Sequence, residues 1–164
     1  MFKHLLLALL LATGSASWGG SNLPFGSAHV VVIYDASGEV LLEKDAATAA
    51  PIASLTKLMT VMVVLDAGQD LGEAVRIDDA DRDALKHTRS GVPVGAVLSR
   101  DTLLELALIA SDNRAAAALA RNYPGGPAAF AQATRSKIEA LGLTNTVLVE
   151  PTGLSPDNHA SALD

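Results

Sequence analysis

A chain of 164 residues, 49% hydrophobic and 18% charged, suits one globular domain with a real core. Its 4% aromatic content puts that core on Leu, Val, Ile, Met and Ala. A net charge of -6 and a pI near 5.1 argue against the basic face of a nucleic-acid binder, and the absence of cysteine excludes disulfides and cysteine-acylated anchoring.

Lys3 and His4, the apolar run from Leu5 to Ala12 and the small residues Gly14-Ser15-Ala16 have the layout of a secretory signal peptide. Residues 1–17 are assigned to it, with the cut after Ala16 or Ser17, and residues 18–164 to one domain. The run is far short of the ~18 apolar residues a membrane-spanning helix needs. An exported protein without a transmembrane anchor is expected. Residues 18–27, rich in Gly, Ser and Pro, read as a flexible lead-in. His29 to Tyr34 is a β-branched apolar strand, Ala36-Ser37-Gly38 a turn, and Glu39 to Glu43 the second strand of a hairpin. A small-residue connector follows from Ala46 to Ala53, broken by Pro51.

From Leu55 to Leu65 only Thr56, Lys57 and Thr60 interrupt the apolar residues, and Gly68 follows as a stop. The run predicts a buried central helix from about Ser54, apolar on every side, against the β preference of Val61, Val63 and Val64. Residues 69–98 read as loop-rich. Ser99 is placed to cap a helix over Thr102 to Ala110, with Asp101 in its first turn. Ala115 to Arg121 is a short alanine-rich helix. Pro127 opens another, which Gly142 ends. Thr146 to Val149 reads as a short strand, and Pro151-Thr152-Gly153 as a turn into a polar tail.

Two groups of residues carry chemistry. Ser54 and Lys57 are three apart, so on a helix the hydroxyl and the ammonium share a face. A serine needs a base to become a nucleophile, and a lysine is a base only if its pKa falls. Burial against an apolar helix and the positive end of the helix dipole both push that way. The competing reading is a capping serine beside a surface lysine. Ser111-Asp112-Asn113 lies in a tight bend between two apolar helices, suited to a proton relay or a substrate clamp; the plainer alternative is a helix cap. Asp79, Asp81 and Asp83 imitate a calcium loop, but Ala84 and Ser90 hold its glycine and glutamate positions, so they read as a solvated acidic face. His4, His29, His87 and His159 lack metal-ligand spacing.

S-x-x-K with S-D-N and K-T-G is the signature of penicillin-binding proteins and class A β-lactamases, and the first two occur here in that order. With Ala53 to Thr60, Val92 to Gly95, Ser111 to Ala116, Leu141 to Thr146, Glu150 to Leu154, Asn158 and Ser161 to Asp164, the chain resembles the low-molecular-weight serine D-alanyl-D-alanine peptidases, in particular their endopeptidase branch. The resemblance implies an α/β plus α fold of the β-lactamase/transpeptidase type: an antiparallel sheet, represented by its N-terminal hairpin, beside a mostly helical domain, with the site between them. It implies that Ser54 attacks a D-Ala carbonyl, Lys57 takes its proton, Ser111 relays a proton to the leaving amine and Asn113 binds the substrate. The backbone N–H of Ser54 is expected to form half of an oxyanion hole. The implied partners are peptidoglycan stem peptides and cross-links and β-lactam antibiotics, with no metal or other cofactor, in the periplasm or cell envelope. The family's K-T-G motif does not occur before Asp164, so the resemblance implies a C-terminally truncated domain, expected to be poorly folded and nearly inactive alone. Two other readings fit the same motifs: a non-catalytic peptidoglycan or β-lactam binding protein, and a class A-like β-lactamase. For the latter, Glu150-Pro151 lacks the E-P-x-L-N spacing and reads as a structural turn.

Overall fold

The computed structural model describes residues 31–164. The signal peptide, the lead-in, His4 and His29 lie outside the described residues. Strands β1 (Val31–Tyr34) and β2 (Val40–Lys44) form the expected antiparallel hairpin. Its turn is closed by Asp35, whose Oδ1 accepts from the N–H groups of Ser37 and Glu39 at 2.8 and 2.9 Å. The connector is not plain coil, because Ala50–Pro51 is a two-residue strand, β3.

A 3-10 turn over Ala53–Leu55 leads into helix α1 (Thr56–Asp66). The valines do not prevent the helix, since burial overrides their weak intrinsic preference: Met59, Val61, Val63 and Val64 lie in the core. The helix is not buried on every side, however. Leu58 and Leu65 stay about half exposed, and Leu58 borders a cleft shared with Ala107 and Leu108 of the second long helix.

Residues 69–98 hold more order than their composition suggested. Strands β4 (Ala74–Arg76) and β5 (Val97–Ser99) pair antiparallel, with Val75 opposite Leu98. Between them a 3-10 turn at Asp79–Asp81 is closed by a reciprocal cap, Asp81 Oδ2 accepting from the Asp78 N–H at 2.7 Å. Asp81 therefore departs from the expected solvated acidic face. It is buried and paired with Arg121, whose Nε donates at 2.7 Å.

Helix α2 (Arg100–Ile109) is capped by Ser99, as expected, through a bond from the Thr102 N–H at 3.1 Å. Helix α3 (Asn113–Arg121) begins earlier than Ala115 because Asp112 caps it, accepting from the Ala115 N–H at 2.9 Å. Its buried side chains are mostly alanines, small enough for α1, α2 and α4 to approach it closely. Helix α4 (Gly126–Ala140) has Pro127 in its first turn and ends before Gly142, which takes the left-handed φ of 71° that such a stop requires. The expected strand from Thr146 to Val149 reduces to a single bridge, Val147 to His159. A final strand β6 (His159–Ala160) pairs with β3 instead. Among the described residues, three two-stranded antiparallel ribbons thus flank a core of four α-helices. Among the described residues no helix is long and apolar enough to cross a membrane.

Candidate active site

The turn at Ala53–Leu55 places Ser54 at the surface, and α1 carries Lys57 in its first turn, with no acidic residue there to balance the helix dipole. Lys57 is only 1% exposed. Its Nζ donates to Ser54 Oγ at 3.0 Å, to Ser111 Oγ at 3.3 Å and to the Thr152 carbonyl at 2.8 Å. A lone buried ammonium would be costly, but this one has an acceptor for each of its three protons. Burial holds its pKa below the ordinary lysine value, while the negative charges of Glu150 and Asp112 act in the opposite sense. An amine with a lowered pKa, in contact with two hydroxyls, can take a proton from one and deliver one through the other.

Ser111 reaches Lys57 because the bend between α2 and α3 turns sharply, with Ser111 at a left-handed φ of 52°. The bend is secured on both sides. The Asp112 N–H donates to the Leu106 carbonyl at 3.0 Å, and Ser90 Oγ donates to Asp112 Oδ2 at 2.7 Å. The capping and functional readings of this cluster are therefore compatible: Asp112 caps, and Ser111 faces the lysine.

Around Ser54 lies an open cleft of about 370 Å³, with an apolar rim formed by Leu55, Leu58 and Leu108. Asn113 does not line it. Its Nδ2 donates to Thr88 Oγ1 at 2.9 Å, and the residue borders a smaller cavity of about 180 Å³ with Leu85, Thr152 and Leu154. Of the four candidate residues, the structure gathers Ser54, Lys57 and Ser111 into one hydrogen-bonded group and sets Asn113 beside it. A further cavity of about 320 Å³, against Thr56 and Thr60, contains no comparable serine–lysine pair.

The segment from Glu150 to Asn158 supplies contacts that residue spacing could not reveal. Thr60 Oγ1 donates to the Pro151 carbonyl at 2.8 Å, as Lys57 does to that of Thr152, so two successive carbonyls lie along α1. Asn158, fully buried, donates to Thr56 Oγ1 at 3.1 Å, and its carbonyl accepts from the Ile52 N–H at 3.1 Å. Gly153, at φ 83°, lies so near the backbone of Ala53 and Ser54 that a Cβ there would stand 1.8 Å from the Ala53 carbonyl oxygen. Ala53 itself holds a φ of 46°, a strained value for a residue with a side chain. The expected structural turn at Glu150-Pro151 is present, and it forms the wall against which Ser54 and Lys57 are set.

A sequence profile of the D-alanyl-D-alanine carboxypeptidase family matches residues 20–164. A D-alanyl-D-alanine endopeptidase of Pseudomonas aeruginosa is 46% identical over 138 residues, 84% of this chain and 44% of its own. One from Escherichia coli is 40% identical over 154 residues, 94% of this chain and 50% of its own. The chain thus spans about half the length of the curated relatives it matches. Among solved structures, a D-alanyl-D-alanine carboxypeptidase of Mycobacterium tuberculosis superposes with a TM-score of 0.74 at 32% identity, covering 88% of this chain and 55% of that one. Penicillin binding protein 5 of Haemophilus influenzae gives 0.74 at 27% identity, covering 87% and 44%. These neighbours bear out the expected α/β plus α fold.

Proposed function

This chain belongs to the D-alanyl-D-alanine carboxypeptidase family, and from that membership we propose that it forms the nucleophile-bearing part of a serine DD-peptidase acting on peptidoglycan. The observation that carries the reading is the contact of buried Lys57 with Ser54 Oγ at 3.0 Å. Ser54 Oγ attacks the carbonyl carbon of a D-Ala peptide bond and gives its proton to neutral Lys57. As the tetrahedral intermediate collapses, the C–N bond breaks and the proton passes by way of Ser111 to the leaving amine. Water then hydrolyses the acyl-enzyme, with Lys57 as base again. β-Lactams acylate the same serine, because their strained amide reacts by the same first step. Asn113 bonds the substrate from the adjoining cavity, releasing Thr88 to do so. The names of the relatives at 46% and 40% identity favour an endopeptidase that cuts cross-links. Residues 1–17 direct export to the cell envelope.

A β-lactamase reading is disfavoured by Glu150, whose carboxylate is occupied by donors from its own turn. The test is fluorescent penicillin labelling of the full-length protein, beside hydrolysis of a D-Ala-D-Ala cross-linked peptide. Labelling and hydrolysis that both vanish in Ser54→Ala are the expected result. Labelling without hydrolysis would identify a binding protein instead, and labelling that persists in Ser54→Ala would refute the assignment.

A further inference from the structure

Glu150 holds more of the site together than any other carboxylate. Its Oε2 accepts from the Thr152 N–H at 2.7 Å and from the Thr152 hydroxyl. Its Oε1 accepts from the N–H groups of Gly153 and Ser155 at 2.6 and 3.3 Å and from Asn158 Nδ2 at 3.0 Å. Five donors on one carboxylate fix the path of residues 150–155. Two parts of that path touch the reacting groups: the Thr152 carbonyl meets Lys57 Nζ, and Gly153 abuts the backbone of Ala53 and Ser54.

We propose that Glu150 is a positioning residue of this site, drawing its own turn together so that the Thr152 carbonyl and Gly153 set Lys57 and Ser54 in register. The inference rests on the Ser54–Lys57 reading and adds a role that neither motif contains. Glu150 makes no contact with either reacting group; it acts through Thr152 and Gly153. A carbonyl holds the lysine in place without competing for its proton, which leaves the hydroxyls of Ser54 and Ser111 to exchange it.

The carboxylate also acts through its charge. Three groups besides Glu150 face Lys57 from the elements around it. Ser54 lies on the turn before α1, Ser111 on the α2–α3 bend, and the Thr152 carbonyl on the 150–155 turn. Among the described residues, the charges that act on it are those of Glu150 and Asp112, both of which favour the ammonium. Removing the charge of Glu150 therefore moves the lysine further below its ordinary pKa. Placement and proton affinity of Lys57 are thus linked through one residue.

Glu150→Gln and Glu150→Asp separate the two effects in the full-length protein, with penicillin acylation followed across pH and Lys57 titrated directly by NMR of 13C-labelled lysine. In Glu150→Gln the acylation plateau falls by about 100-fold, as expected for misplaced reacting groups. The acid limb and the NMR midpoint both move to lower pH. In Glu150→Asp the charge remains and the carboxylate is retracted, so the plateau falls while the midpoint moves less. Thr152→Val, which keeps the carbonyl and loses one donor to Glu150, lowers the plateau by about 10-fold with the fold intact. A midpoint unmoved in Glu150→Gln, or a Thr152→Val protein that acylates at the wild-type rate, overturns the proposal. The NMR titration needs no catalytic turnover, so loss of the peptidase reading, seen as labelling that survives Ser54→Ala, remains a separate result.

Discussion

Lys57 carries two opposed demands. As the base of the proposed mechanism it would have to be neutral, and burial lowers its pKa toward that state. For folding, a buried amine with a lowered pKa is a liability wherever it is charged. The unfolded chain binds the proton more tightly, so the penalty sets in as pH falls through the ordinary lysine value of 10.5 and is complete below the folded-state pKa. Lys57→Met is therefore expected to abolish acylation and yet to raise the melting temperature near neutral pH. The gap to wild type should close as pH rises toward 10.5, and thermal melts across pH check it. A gap that widened with pH would mean that the lysine is not desolvated. Gly153→Ala has the opposite character. Its Cβ has no room beside the Ala53 carbonyl, and φ 83° is unfavourable for any side chain by about 1–2 kcal/mol. Lower stability and an acylation rate reduced by about 100-fold are expected, measured by melts and penicillin kinetics.

The bend between α2 and α3 shows how a helix end serves a site. Asp112 caps α3, binds Ser90 and holds the turn that aims Ser111 at Lys57. Asp112→Ala removes the cap at a cost of about 1–2 kcal/mol and frees the Ser111 turn. It also deletes one of the two charges that favour the ammonium. Lower stability in chemical denaturation and an acid limb displaced to lower pH should appear together. Asp112→Asn, which retains a capping side chain, should restore most of the stability and leave the limb displaced. An Asp112→Asn limb that matched wild type would show that its charge does not reach the lysine.

The ion pairs of the whole domain differ in worth according to burial. Lys137 and Asp66 join α4 to the end of α1 at 2.8 Å, but Asp66 is more than half exposed. Lys137→Ala should change stability by no more than about 1 kcal/mol. Arg121 joins the end of α3 to Asp81, which is 1% exposed, and also donates to the Arg76 carbonyl at 2.7 Å. Arg121→Ala leaves that buried carboxylate without its partner and should cost about 3–5 kcal/mol. Urea unfolding of the two variants gives the comparison, and equal effects would contradict the burial of Asp81.

Local rules made much of this molecule legible. The three-residue spacing of Ser54 and Lys57, the Ser99 cap, the Pro127 start and the Gly142 stop are set by neighbours within about one helical turn, and each is found where the residues imply it. The order of its short motifs is enough to place the chain in its family. What escaped depends on partners distant in the chain. Asp79, Asp81 and Asp83 look alike in sequence, yet only Asp81 meets an arginine from α3 and becomes buried. Pro51 looks like a breaker, yet β3 finds β6. Glu150-Pro151 reads as a turn, and only the packing of that turn against α1 makes its carbonyls ligands of Thr60 and Lys57. A hydrogen bond across the fold has no signature in residue spacing, because the intervening chain, and not the local sequence, decides which groups meet.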